Sequence, residues 1–224
     1  MKEYIMMYQE FTSRAAAAAQ HLESKVVESE RILIMPMTIR AQRIYDLGTG
    51  AGRVPKYLAK QGLDAKIIGV ESNRQMFLLA NEFQSQGIMF VHSDIKDWLI
   101  TADRADLMLC LGNTFGGFID ERYRNSLIVL IYKKLQNGGN FILDYRPINA
   151  VLKNDSVLSR HSQAYGELVM TREDISGSEF KLVQFYPDEP RLIDFLKSNG
   201  FRPNQRRYLE GTKYMRKAII LRKE

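Results

Sequence analysis

Ile44-Tyr45-Asp46-Leu47-Gly48-Thr49-Gly50-Ala51-Gly52-Arg53 is an apolar run that meets an acid and then three glycines at alternate positions. A second apolar run, Ala65 to Val70, ends in Glu71. Together they read as a strand, a tight turn into a helix, and a second strand closed by a carboxylate. Glycines let a backbone turn sharply and come close to a ligand that a side chain would block. An acid about 20 residues after such a turn is placed to hold both hydroxyls of a ribose. The spacing separates this unit from two others. A dinucleotide fingerprint is G-x-G-x-x-G, whereas here the third glycine comes one residue early and Arg53-Val54-Pro55 follows. A phosphate-cradling loop needs Gly-Lys-Ser/Thr, which is absent. A glycine-rich turn of structural purpose only is the other reading of this segment taken alone.

Composition narrows the classes. A chain of 224 residues suggests one domain with a small appendage. With 45% hydrophobic and 26% charged residues it is globular in type. No run of about 18 apolar residues occurs, so no membrane span is expected. Met1-Lys2-Glu3-Tyr4 has no apolar signal segment, and Ala15 to Ala19 is too short to be one. A lone Cys110 excludes an internal disulfide framework and agrees with a reducing cytoplasm. The net charge is +6, with Arg202, Arg206, Arg207, Lys213, Arg216, Lys217, Arg222 and Lys223 clustered late. That cluster reads either as a footprint for nucleic acid or anionic lipid, or as a solvated face of the last two strands. No RNA-binding module accompanies it, which favours the solvated face.

Residues 1–42 read as a helical N-terminal segment, with Phe11, Ala15, Ala18, Leu22 and Val26 at helical spacing and Pro36 as its end. Strands and helices then alternate, which predicts a mostly parallel sheet. Strands are expected at Arg43–Leu47, Lys66–Val70, Ile88–His92, Ala105–Leu111 and Asn140–Tyr145. Helices are expected at Val54–Gln61, from an Asn73 N-cap to Gly87, and at Glu121–Gln136 with Gly138-Gly139 as the stop. Residues 146–178 break the rhythm. Glu167–Arg172 and Glu179–Tyr186 form a candidate hairpin around Ser176-Gly177-Ser178. A helix over Pro190–Asn199 and strands at Arg202–Leu209 and Tyr214–Arg222 close the chain.

The Asp-Leu-Gly-x-Gly-x-Gly turn and the acid ending strand two resemble the class I S-adenosylmethionine-dependent methyltransferases. The resemblance covers about residues 43–145 and 187–222. It implies a Rossmann-like α/β fold: a seven-stranded, mostly parallel sheet, helices on both faces, an antiparallel C-terminal hairpin and a small lid insertion. It implies a methyltransferase domain over residues 43–224, with the lid at about 146–186 and the segment 1–42 covering the site. It also implies S-adenosylmethionine as cofactor and S-adenosylhomocysteine as product. By resemblance, Asp46, Gly48, Thr49, Gly50 and Gly52 lie along the methionine part of the cofactor. Glu71 takes the ribose, with Ser72 and Met76 following in the family's acid-x-Ser/Asn-x-x-Met pattern. Met76 then packs on adenine, or is ordinary helix core. Asp94 accepts from the adenine amino group and the Ile95 N–H meets a ring nitrogen, or Asp94 only caps the Lys96-Asp97-Trp98 turn. Trp98 covers the adenine or belongs to the core. Leu111 ends strand four beside the cofactor.

Strand four bears on the substrate. Amino-methylating DNA and RNA enzymes of the family usually carry Asn/Asp-Pro-Pro-Tyr/Phe here. This chain has Cys110-Leu111-Gly112-Asn113-Thr114-Phe115, which resembles glycine and sarcosine N-methyltransferases. Asn113 then positions the acceptor by its amide, or it caps the loop. Tyr145 and Arg146 end strand five beside the pocket in this topology, and Arg160, Tyr165 and Arg172 lie in the lid. Tyr4 and Tyr8 could also reach the site from the N-terminal helix. An arginine can clamp a carboxylate with both arms of its fork, or form surface ion pairs. His21, His92 and His161 are scattered and pair with no acid, and no metal-ligand spacing is present. The expected acceptor is therefore a small molecule, with an amine nitrogen as the methylated atom. RNA, a protein substrate and a non-catalytic cofactor-binding module are the alternatives. Oligomeric state is open, and a dimer is compatible with the sequence.

Overall fold

The computed structural model describes residues 26–83, 86–148, 157–161, 167–173, 179–210 and 215–224, with backbone pairing alone over 157–183. Tyr4, Tyr8, the run from Phe11 to Leu22, Tyr165 and the side chains of Arg160, His161 and Arg172 lie outside the described residues.

Six helices and ten strands are described. In chain order they are α1 (Glu28–Thr38), β1 (Arg43–Leu47), α2 (Arg53–Ala59), β2 (Lys66–Glu71), α3 (Arg74–Asn81), β3 (Ile88–His92), α4 (Ile95–Thr101), β4 (Ala105–Cys110), α5 (Glu121–Lys134), β5 (Leu135–Tyr145), β6 (Val157–His161), β7 (Glu167–Glu173), β8 (Glu179–Phe185), α6 (Glu189–Ser198), β9 (Phe201–Leu209) and β10 (Arg216–Lys223). A 3-10 turn spans Thr114–Gly117. Seven strands make one sheet in the order β3-β2-β1-β4-β5-β10-β9, and β6-β7-β8 make a second, three-stranded one. The first five are mutually parallel. Strand β10 runs antiparallel to both β5 and β9. This is the expected Rossmann-like architecture with its antiparallel C-terminal pair.

Both faces of the sheet are covered, so its central strands are apolar in nearly every position. Tyr45, Leu47, Val70, Met108, Cys110 and Leu143 pack with α4, α5 and α6 on one face. Ile44, Ile67, Leu107, Leu109, Ile142 and Ile220 pack with α1 and α2 on the other. Period-two alternation along each strand divides the residues between these two cores. The strand order reverses between β1 and β4, and in open α/β sheets the crevice at that point, beyond the carboxyl ends, is where ligands bind.

Several features differ from the sequence reading. Helix α3 ends at Asn81, short of Gly87, and the segment after Asp94 is a full helix, Ile95–Thr101, where the sequence suggests a turn. Pro36 lies inside α1 and does not end the segment. It removes only one backbone donor near the helix end, while Leu33 and Ile34 hold the helix down. Gly138-Gly139 lies inside β5 and does not stop α5. Helix α5 ends at Lys134, and Leu135 already pairs with Ala105 while Asn140 pairs with Leu107. Residues 136–139 face Asp106 alone and so form a bulge, with Gly138 at φ 77°. Strand β6 is a further difference, because residues 146–178 read as lacking a regular unit before the hairpin. Among the described residues no helix is long and apolar enough to cross a membrane.

Candidate functional site

The turn after β1 is built by its glycines. Gly48, Gly50 and Gly52 all have positive φ, at 74°, 58° and 78°. Gly48 and Thr49 donate their N–H groups to the Val70 carbonyl, at 2.9 and 3.0 Å, which ties the turn to β2. Space as well as conformation demands glycine at two of these positions. A Cβ on Gly48 would sit 2.3 Å from Thr114 Cγ2, and one on Gly52 would sit 2.7 Å from Phe90 Cζ. Those two glycines therefore admit the protein's own side chains. Gly50 differs: the nearest atom to its absent Cβ is the Met76 methyl, at 3.4 Å.

Asp46 lies in β1 on the α1–α2 face, 3% exposed, and accepts a 2.7 Å hydrogen bond from Thr49 Oγ1. Burial pushes its carboxyl up to about 6, against the pull of Thr49 and Arg53. Glu71 ends β2. Its Oε2 accepts from the Gly50 N–H at 2.8 Å and its Oε1 from the Asn73 N–H at 2.8 Å. Burial raises its carboxyl and these amides oppose the rise. Asn73 caps α3, accepting from the Met76 N–H at 3.0 Å. The Ser72 carbonyl lies 3.0 Å from His92 Nε2, and the His92 ring stacks on Phe77.

Asp94 caps α4, accepting from Lys96 N–H at 2.8 Å and Asp97 N–H at 3.3 Å. Its carboxylate also receives the Tyr123 hydroxyl, 2.9 Å from Oδ2. Burial, with Asp94 adding to it, drives the Tyr123 phenol far above its ordinary range. Ile95, the first residue of α4, is buried in the core. Trp98 meets Tyr45 edge-on with ring centroids 4.6 Å apart, so it is partly core.

The loop after β4 forms the opposite wall. Gly112 and Asn113 both have positive φ, and Asn113, at 63°, is the one non-glycine residue so placed among the described residues. Asparagine tolerates this conformation better than most residues, but a buried non-glycine there marks a conformation imposed by its surroundings. The imposing group is Asp144 of β5. Its Oδ2 accepts from Gly112 N–H at 2.9 Å and its Oδ1 from Asn113 N–H at 2.6 Å. The Asn113 side chain accepts from the Arg146 N–H at 3.1 Å. Thr114 Oγ1 lies 2.7 Å from the Leu111 carbonyl and 3.3 Å from that of Gly48, bridging the two walls. Tyr145 is fully buried, and burial, helped by nearby Glu189, drives its hydroxyl far above its ordinary range. The Arg146 guanidinium lies over the Tyr186 ring, 5.4 Å from its centroid.

The fold thus brings Asp46, Gly48, Thr49, Gly50, Glu71, Ser72, Met76, Leu111, Asn113 and Arg146 to the carboxyl ends of β1, β2, β4 and β5. Asp94 and Ile95 stand at the end of β3. Sequence reasoning missed Asp144, Glu30, Arg53, Arg216 and Tyr123. An acid within an apolar strand, Phe141-Ile142-Leu143-Asp144-Tyr145, was a signal that Asp144 is held by specific partners. Among the described residues no three His, Cys, Asp or Glu side chains group as a metal site.

Residues 44–139 match the family model described as "Methyltransferase domain". The glycine/sarcosine N-methyltransferase of Aphanothece halophytica is 27% identical over 129 residues, which is 56% of this chain and 48% of that protein. The carboxy-S-adenosyl-L-methionine synthase of Nautilia profundicola is 25% identical over 169 residues, 71% of this chain and 69% of that one. The chain therefore spans about half the length of the glycine/sarcosine enzyme. The glycopeptide N-methyltransferase MtfA, solved with S-adenosylmethionine, superimposes with a TM-score of 0.64 at 14% identity, covering 88% of this chain and 86% of MtfA.

Proposed function

We propose that this chain, a class I S-adenosylmethionine-dependent methyltransferase, moves the methyl group of its cofactor to an amine nitrogen of a small-molecule acceptor and releases S-adenosylhomocysteine. The observation that carries the reading is the Glu71 carboxylate, clamped by the Gly50 and Asn73 amides at the sheet's reversal of strand order. The carboxylate also accepts from the Ser72 amide, and the acceptor capacity that remains on its two oxygens is what a ribose hydroxyl would use. Gly50 leaves its side of the turn free of a side chain, with the Met76 methyl alongside. These features fit the cofactor.

When bound, the cofactor supplies a methyl carbon already activated by its sulfonium. The protein's part is then alignment and exclusion of water. An amine reacts as its free base, so the site must bind that form. In this reading Asn113, held by Asp144 and by the Arg146 N–H, orients the acceptor. Tyr145 and Arg146 shape the same wall, residues 146–186 act as lid and the segment 1–42 covers the site. No general base is assigned.

The likeness to a glycine/sarcosine N-methyltransferase supports an amine. A small acceptor, rather than a polyanion, is supported by how the late basic residues are used. Arg216 is buried against Glu30 and Asp144. Lys217 and Arg206 pair with Glu189, and Arg202 pairs with Glu224. Lys223 donates to the Leu135 carbonyl at 3.0 Å. A cluster in sequence is thus spread over several partners in space. A cytoplasmic setting belongs to the same reading.

Calorimetric titration with S-adenosylmethionine and S-adenosylhomocysteine, with NAD as control, tests the proposal. Binding of the first two and not of NAD is expected, followed by turnover on a panel of small amines. Binding of NAD, or no binding of either sulfur ligand with amines present, would refute it. Steeply salt-dependent binding to RNA would replace the small acceptor with a polyanion.

A further inference from the structure

Four charged side chains sit beneath the site, and the reading above uses none of them to hold ligand. Glu30 of α1 and Asp144 of β5 have fully buried side chains, while those of Arg216 and Arg53 are 12% and 19% exposed. They form one chain. Arg53 engages both oxygens of Glu30, with Nη2 3.0 Å from Oε1. The same Glu30 Oε1 accepts from Arg216 Nη2 at 3.0 Å, and Arg216 Nη1 pairs with Asp144 Oδ2. Asp144 then accepts the Gly112 and Asn113 amides. One end of the chain is therefore the residue directly after Gly52, and the other is the left-handed loop that carries Asn113.

Two acids and two arginines balance in charge. Apolar residues of similar volume would stabilise a core as well or better, so stability alone does not account for such a set. Geometry does. A guanidinium fork presents donors in a fixed plane, and Arg216 spends one arm on each acid. The position of Asp144, and with it the two loop amides, follows from where Glu30 stands. Glu30 in turn is tied by Arg53 to the glycine turn.

We propose that Glu30 and Arg216 are positioning residues that hold the Gly112–Asn113 loop in its left-handed conformation and couple it, through Arg53, to the cofactor turn. The coupling rests on the functional reading above; the positioning does not. The chain acts on the loop through Asp144, with no need for Glu30 or Arg216 to touch acceptor.

Amide hydrogen exchange, followed residue by residue by NMR, tests both parts. In the ligand-free protein Arg216→Met should speed exchange at Gly112 and Asn113 by about tenfold, with Glu30→Gln smaller and Arg53→Met smaller again. Central β2 amides such as Ile68 should keep their rates. Unchanged exchange at Gly112 and Asn113, or an equal rise in β2, would overturn the positioning. Should Arg216→Met fail to fold, Arg216→Lys loses the fork but keeps the charge and carries the same expectation. With saturating S-adenosylhomocysteine, exchange at the two amides should slow in wild type and stay unslowed in Glu30→Gln. Equal slowing in both would overturn the coupling. Failure of the ligand to bind at all would overturn the functional reading and the coupling together, while the ligand-free arm still decides the positioning.

Discussion

Replacing Asp46 by Asn should change how stability depends on pH in a way the structure sets in advance. Asp46 is buried, and burial lifts its carboxyl from the ordinary 3.8 to about 6. A folded-state value above the unfolded one means that the native protein binds the proton more tightly. The stabilising effect is then fully present below pH 3.8 and is lost as pH rises through about 6. The span corresponds to about 3 kcal/mol, at 1.36 kcal/mol for each tenfold change in proton affinity. Wild type should therefore lose about 2 kcal/mol of that relative to Asp46→Asn between pH 4 and pH 7, the rest falling below pH 4. The difference between the two proteins is the readout, because Asn adds a donor whose cost is independent of pH. Urea unfolding of both proteins at half-unit steps from pH 4 to pH 8 measures it. A flat difference would refute the argument, and so would one of opposite slope, which would mean that Arg53 and Thr49 outweigh desolvation.

Other expectations follow from the same geometry. Gly48→Ala places a methyl 2.3 Å from Thr114 Cγ2 at a φ of 74° and should cost about 2 kcal/mol or more. Adding Thr114→Ala should recover part of that loss, and strict additivity in a double-mutant cycle would show that the clash does not exist. Glu71→Ala should weaken S-adenosylmethionine about tenfold or more by calorimetry, since a charged acceptor of two hydrogen bonds is lost; unchanged affinity would remove Glu71 from the cofactor site. Asn113→Gly keeps the backbone conformation and deletes the amide. It should cost about 1–3 kcal/mol of unfolding free energy, because the buried Arg146 N–H loses its Asn113 acceptor, while turnover on a responsive amine falls about a hundredfold. Undiminished turnover would take Asn113 out of acceptor positioning.

Local chemistry was legible in the sequence where one segment decides the outcome by itself. The β1 turn, the Asn73 cap and strands β1 to β3 depend on neighbours a few residues away, and they lie where the glycines, the capping side chain and the apolar runs indicate. Gly138-Gly139 misled because a glycine pair serves a helix stop and a strand bulge equally well. The pairing of β5 with β4 chose between them. Asp94 presents one side chain to two demands, a helix N-terminus and the Tyr123 hydroxyl, and the second is invisible without α5 in place.

The sequence by itself determined the alternation of strand and helix, the glycine turn and the acid that closes β2. Each arises from periodicity or backbone conformation, which act over short stretches of chain. Only the tertiary structure decided that Glu30, Arg53, Asp144 and Arg216 form one buried chain of charge, and that Asp144 shapes the Asn113 loop. Those residues meet because the order β3-β2-β1-β4-β5-β10-β9 sets β10 against β5, with α1 and α2 packed on the same face. Buried charges must find partners, but which partners they find is a property of sheet order and helix packing, not of spacing along the chain.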